Sequence, residues 1–164
     1  MSTDASTPAQ ALEARIRALE DEREIRELLI RYAQRLDSRD HGGYARLFAE
    51  RGTWSGRLGE ATGPEAIEAM LEGGFGKTPN DFVNTDNFHL MSNFTIAVSG
   101  DAATAQSRLT YFARSPDNKP VAMLAGRYED RLVREGGHWL FQSRKVIGEI
   151  PTMAEVSGQQ EKRA

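Results

Sequence analysis

The sequence predicts an α+β fold in which a strongly curved antiparallel sheet wraps around helices from its own N-terminal half. Three observations carry this. The helical patterns all precede a Gly-rich loop at 73–81, GGFGKTPND. From Val83 onward the chain reads as four successive strands joined by turns of hairpin length. The length, 164 residues, suits one domain with a single substantial core.

Taken in order, residues 1–8 are small and polar and are expected to be disordered. Residues 9–39 contain no Pro or Gly and carry a helical pattern through Ile25, Leu28, Leu29, Tyr32, Ala33 and Leu36. The first half of that helix has only Leu12, Ile16 and Leu19 among many charges, which suits an exposed extension or a helix that packs on a partner chain. His41-Gly42-Gly43 reads as a break, with a short second helix over Tyr44–Phe48. Thr53 to Gly59 alternates weakly and is rich in Gly, as in a short strand or hairpin. Gly63-Pro64-Glu65 opens a further helix, with Ala66, Ile67, Met70 and Leu71 as its buried face. The loop at 73–81 is a candidate lid. Strands are expected over 86–98, 103–114, 120–133 and 138–148, and their separators are Ser99-Gly100-Asp101, Ser115-Pro116-Asp117-Asn118 and Arg134-Glu135-Gly136-Gly137. One domain over 9–150 and a flexible tail over 151–164 complete the organisation.

Composition excludes several functions. A net charge of −3 with both signs spread along the chain leaves no basic stripe for a nucleic acid. The absence of cysteine removes thiol nucleophiles, disulfides and thiolate metal sites. No signal peptide and no apolar run of about 20 residues is present, so a cytoplasmic chain with no membrane partner is expected. Three scattered histidines have no metal-ligand spacing, and no Gly-rich loop joins a strand to a helix as a nucleotide site requires. Catalysis without metal or cofactor follows as the expectation.

The stretch N87-F-H-L-M-S-N-F-T-I-A-V-S-G-D101 places His89 at the start of an apolar strand. An imidazole, with an ordinary pKa of about 6.5, is the natural proton acceptor near neutral pH. Parity sets His89 with Met91 and Asn93, and Leu90 with Phe94, Ile96 and Val98, and leaves open which face is inner. A histidine satisfied structurally at a strand end remains the alternative. His41 and His138 read as exposed loop residues.

Several segments together resemble the SnoaL-like branch of the nuclear-transport-factor-2-like superfamily. They are Ile25-Arg26-Glu27-Leu28 through Tyr32, Leu36-Asp37-Ser38-Arg39-Asp40, His89-Leu90-Met91-Ser92-Asn93, Gly100-Asp101-Ala102-Ala103-Thr104-Ala105, and Gly126-Arg127-Tyr128-Glu129-Asp130 followed by Gly137-His138-Trp139. The resemblance covers residues 24–150 and implies a cone-shaped curved sheet around the N-terminal helices, enclosing an apolar cavity. Within that superfamily the chain resembles bile-acid dehydratase and hexachlorocyclohexane dehydrochlorinase, whose helix aspartate falls on Asp37 and whose strand histidine falls on His89. The dehydrochlorinase arginine falls on Arg144, five residues after Trp139, and the bile-acid enzyme's tyrosine falls on Tyr32.

The chemistry implied is a general base. Asp37 would fix the His89 tautomer and stabilise the imidazolium, while Arg144 and Tyr32 would serve a leaving group or oxyanion. On helical geometry Asp37 and Tyr32 lie on opposite shoulders of the stripe through Leu29 and Leu36, so both can face one cavity. Each has a structural alternative: Asp37 as a local cap, Tyr32 as a core aromatic, Arg144 on a solvated strand beside Lys145. Between residues 90 and 137 there is no histidine, so the second pocket histidine of scytalone dehydratase is missing. The oxyanion set of ketosteroid isomerase and the aspartate–arginine pairing of limonene epoxide hydrolase find no match. The resulting expectation is a cofactor-independent lyase, a dehydratase or related elimination, acting on a hydrophobic cyclic or aromatic small molecule. Phe75, Phe82, Phe88, Met91, Phe112 and Met123 are its candidate pocket liners. An isomerase or cyclase with the same dyad, or a non-catalytic small subunit similar to that of ring-hydroxylating dioxygenases, is the alternative. The open sheet leaves an outer face to cover, so a homodimer or higher homo-oligomer is expected.

Overall fold

A computed structural model describes residues 7–150. The segments expected to be disordered at the N-terminus and flexible at 151–164 lie outside these residues, except Thr7 and Pro8, which open helix α1 (Pro8–Asp37). The Thr7 side chain accepts from the Gln10 N–H while the Gln10 side chain accepts from the Thr7 N–H, so two otherwise orphaned donors are satisfied. Ile25, Leu28, Leu29 and Tyr32 then bury one face of the second half, whereas Leu12, Ile16 and Leu19 remain exposed on the first.

The helix does not end where the glycines are. Its terminus is a Schellman turn, in which the Asp40 N–H donates to the Arg35 carbonyl at 2.9 Å and the Arg39 N–H donates to the Leu36 carbonyl at 3.0 Å. Arg39 holds the left-handed position of that turn, with φ 53°. The expected break at His41-Gly42-Gly43 is instead the first turn of α2 (His41–Ala45). Asp40 caps it, its carboxylate accepting from the Gly43 N–H at 2.8 Å. Phe48, expected in the second helix, begins strand β1 (Phe48–Gly56), because its side chain is needed against Phe141 in the core. β1 and β2 (Gly59–Thr62) form the expected hairpin, and α3 (Pro64–Phe75) buries Ile67 and Leu71. Helix α3 takes up the first residues of the candidate lid. The rest of that loop is tied down by Thr78, whose hydroxyl donates to the Arg39 carbonyl at 2.7 Å.

β3 (Asn87–Ser99), β4 (Ala102–Arg114), β5 (Pro120–Glu135) and β6 (His138–Ile150) form the expected antiparallel meander. β1 joins it by pairing parallel to β6, which gives a six-stranded, curved, unclosed sheet in the order β2-β1-β6-β5-β4-β3. Helix α1 lies inside the curve.

Two irregularities decide which side chains face inward. In β3 the register shifts between Ser92 and Thr95, where Asn93 adopts φ 52°, a conformation asparagine tolerates better than most residues. The shift reverses parity, so His89 and Met91 share the inner face with Phe94, Ile96 and Val98 rather than opposing them. In β6 the register shifts between Phe141 and Ser143, and the inner face runs through Trp139, Phe141, Arg144 and Val146. An odd offset of five residues thereby keeps Trp139 and Arg144 on one side. Gly126 on the inner face of β5 permits close approach of the neighbouring strand, because a Cβ there would overlap the Ile147 carbonyl.

Candidate active site

Between α1 and the inner face of the sheet lies a cavity of about 290 Å³. Its floor is built from side chains that are almost wholly buried, Tyr32, Tyr44, Leu109 and Tyr128, with Trp54 beside them. Arg57, Leu58 and Phe75 also line it and are exposed, so the cavity opens to solvent at that end.

His89 lines one wall. Its Nδ1 lies 2.6 Å from Asp37 Oδ1, and its backbone N–H donates to both Asp37 oxygens, at 3.0 and 3.2 Å. An ionised carboxylate only accepts, so the ring proton sits on Nδ1 and Nε2 is left as the basic nitrogen. The helix end is fixed against the strand by Asn84, which donates to the Asp37 carbonyl at 2.7 Å and to the Asn87 carbonyl at 2.9 Å. The imidazole packs at 4.8 Å between ring centroids on Tyr111, its partner across the β3–β4 ladder. Burial, and then the nearby Asp37 carboxylate, raise the Tyr111 hydroxyl above the ordinary phenol range. Asp37 is not itself in the cavity wall. It holds His89 from behind, whereas Tyr32 stands in the floor, so the two helix residues do not face the cavity together.

The Tyr32 oxygen accepts from the Trp54 indole N–H at 3.0 Å, and its ring packs on those of Tyr44, at 4.6 Å, and Tyr128, at 5.5 Å. Three phenols therefore cluster at the floor. Burial raises the Tyr44 and Tyr128 hydroxyls well above the ordinary value, and the neighbouring Tyr32 adds to it, so both stay neutral donors. The Tyr44 oxygen is buried at the floor, with the Tyr32 hydroxyl as its polar neighbour.

Arg144 lies beneath this cluster and does not line the cavity. Its side chain is 0% exposed and forms a bidentate pair with Asp130, Nε to Oδ1 and Nη2 to Oδ2 both at 2.7 Å. The guanidinium is enclosed by the rings of Tyr32, Tyr128 and Phe141 at 3.9, 4.2 and 4.3 Å. Burial alone would depress this cation, but the Asp130 carboxylate outweighs it and raises the pKa above the ordinary value. The alternative of a solvated strand beside Lys145 is excluded by that burial. The Tyr32 ring, between Arg144 and the cavity, keeps the guanidinium from meeting a ligand directly.

Of the candidate liners, Phe75 lines the cavity. Phe88 and Phe112 pair with each other on the outer face of the sheet at 5.2 Å, because their parity is opposite to that of His89 and Tyr111. Met123 is exposed near the turn of the β4–β5 hairpin, and Met91 packs against the core without lining the cavity. Phe82 lies under the Arg39 guanidinium at 4.6 Å and is not a lining residue. His138 is exposed as expected, but His41 is buried against Phe75 with burial lowering its pKa, because α2 turns it inward. Tyr44, Trp54, Tyr111 and Tyr128 were not singled out by sequence reasoning. Tyr128 had a signal in its even spacing from Gly126 and Asp130, all three inner-facing; Tyr44 and Trp54 reach the floor only through the turn after α1 and the parallel docking of β1.

No helix among the described residues is long and apolar enough to cross a membrane. No curated protein matches the chain. Solved structures do. A protein with an NTF2-like, cystatin-like fold from Novosphingobium aromaticivorans is 26% identical with a TM-score of 0.75, over 95% of this chain and 97% of that one. A candidate scytalone dehydratase from the same organism is 29% identical with a TM-score of 0.66, over 81% and 87% of the two chains. The beta subunit of a candidate aromatic-ring-hydroxylating dioxygenase, again from that organism, shares the fold at 20% identity and a TM-score of 0.67, over 81% and 92%. The model of the SnoaL-like domain matches residues 17–145. With that match spanning both the helix that carries Asp37 and the strand that carries His89, the chain belongs to the SnoaL-like branch of the nuclear-transport-factor-2-like superfamily.

Proposed function

We propose that the protein is a cofactor-independent lyase that eliminates water or a comparable small group from a hydrophobic ring compound. The observation that carries this reading is the 2.6 Å contact between Asp37 and His89 Nδ1 in the wall of an open cavity. His89 Nε2 removes a proton from the carbon next to the one bearing the leaving group. The C–H electron pair becomes the new double bond as the leaving group departs with its own pair. Asp37 stabilises the imidazolium so formed, and the proton on Nε2 then passes to the departing hydroxide to give water.

The floor phenols, Tyr32, Tyr44 and Tyr128, supply hydrogen bonds to the departing oxygen. Arg144 serves this step at one remove: its positive charge draws the Tyr44 and Tyr128 pKa values downward against burial, making both better donors. At about 290 Å³ the cavity is at the small end of ligand sites, which favours substrates of one or two rings. The same base with reprotonation at another carbon would give an isomerase, and ring closure a cyclase. An open cavity with a histidine in its wall supports an enzyme over a purely structural subunit of the dioxygenase beta type.

The test is a panel of one- and two-ring β-hydroxy carbonyl compounds and cyclic halides, followed by mass spectrometry for loss of water or hydrogen halide. Turnover is expected to fall by about 10²–10⁴ in Asp37→Asn and further in His89→Ala. Turnover unchanged in His89→Ala would sink the mechanism.

A further inference from the structure

Among the described residues that line the cavity, Arg39 and Arg57 are cationic and none is a carboxylate. The cavity wall is otherwise dominated by aliphatic and aromatic groups, so a guanidinium in it weighs heavily on how the cavity meets a charged ligand. Arg39 is the more informative. It occupies the left-handed position of the Schellman turn, where glycine is the usual residue because a Cβ is disfavoured there. The chain accepts that strain and gains a side chain at this point. Complementing the negative end of α1 does not explain it, since Arg35 already stands in the last helical turn.

The Arg39 guanidinium stacks on Phe82 at 4.6 Å and enters no ion pair among the described residues. A guanidinium held over a ring face keeps N–H donors available for the bidentate geometry a carboxylate offers.

We infer that Arg39 forms a carboxylate subsite, and that the substrate class is a ring-bearing organic acid. The ring fills the aromatic cavity and the carboxylate lies against the Arg39 fork. This rests on the cavity being the substrate site. It does not require His89 to act as a base.

The experiment is calorimetric titration of the full chain with 2-naphthoic acid and with its neutral counterpart 2-naphthamide, at neutral pH and fixed ionic strength. The acid is expected to bind about tenfold more tightly, the advantage of one charge-assisted pair over a neutral hydrogen bond. Arg39→Gly should erase most of that preference, weaken the amide less than the acid, and hold or raise the thermal midpoint by relieving the left-handed strain. Arg39→Gln provides a second variant should the glycine loosen the turn. His89→Asn should keep the preference. Equal binding of acid and amide, a preference that survives both Arg39 variants, or one that disappears in His89→Asn would each overturn the subsite; the last would place the anion on the imidazolium. Binding of neither probe overturns it together with the cavity's role as a ligand site. An intact acid preference in a protein without elimination activity retains the subsite and rejects only the lyase.

Discussion

Replacing Asp130 by alanine should leave the Arg144 guanidinium fully buried and without its carboxylate. Removing one partner of a buried ion pair typically costs about 3–5 kcal/mol. Here Tyr32, Tyr128 and Phe141 present their ring faces to the cation within 4.3 Å. Those contacts survive the substitution and offset part of the loss, which places the expected destabilisation at about 3 kcal/mol, the lower end of that range. For a chain of 164 residues the unfolding entropy is about 0.34 kcal/mol/K, so the thermal midpoint should fall by about 9 °C. Calorimetry and urea titration followed by tryptophan fluorescence measure both quantities. The double variant Asp130→Leu with Arg144→Met removes both charges and should recover most of the stability. If the double variant regains stability but not turnover, the charge beneath the phenols contributes to the reaction. A loss below about 1 kcal/mol in Asp130→Ala, the scale of an exposed pair, would refute the reasoning, because it would mean that water reaches the guanidinium.

The buried phenols predict sensitivity to alkali. Tyr44 and Tyr128 ionise well above 10.0 in the folded state, so their contribution is complete below the unfolded pKa and is lost as pH rises from there toward the folded values. Stability should fall above pH 10 with a slope approaching about 1.4 kcal/mol per pH unit per phenol, and Tyr44→Phe with Tyr128→Phe should flatten it. A midpoint constant from pH 10 to 11.5 would contradict this. Self-association is the remaining prediction: Leu12, Ile16 and Leu19 form an exposed apolar stripe at 57%, 47% and 68% exposure on the first half of α1. Light scattering is expected to return at least twice the mass of one chain, and the mass of a single chain would reject the expectation.

The element order was legible because helical and strand periodicities are local, and so was the meander, whose turns carry their own chemistry at Ser99-Gly100-Asp101, Ser115-Pro116-Asp117-Asn118 and Arg134-Glu135-Gly136-Gly137. The end of α1 was not. Glycines at 42 and 43 suggested a break, whereas the break is made by Arg39 in a conformation an arginine side chain does not advertise. Strand parity also failed as a guide to the site, for a defined reason. A register shift at Asn93 in β3, and another between Phe141 and Ser143 in β6, reverse the alternation on which a parity argument depends. Phe88 and Phe112 are a separate miss: they precede the shift, and their parity, opposite to that of His89 and Tyr111, puts them on the outer face.

The sequence alone determined the order of elements, the exclusion of thiolate chemistry, and, through its family resemblance, the choice of Asp37 and His89 as partners. Only the tertiary structure decided that their side chains meet at 2.6 Å, that Arg144 is spent on Asp130 beneath the floor, and that Tyr44, Trp54 and Tyr128 complete the cavity. The physical reason is range. Periodicity and capping are set by residues within a turn or two, but a cavity is made where distant segments converge, and its membership depends on bulges and sheet curvature that no single segment encodes.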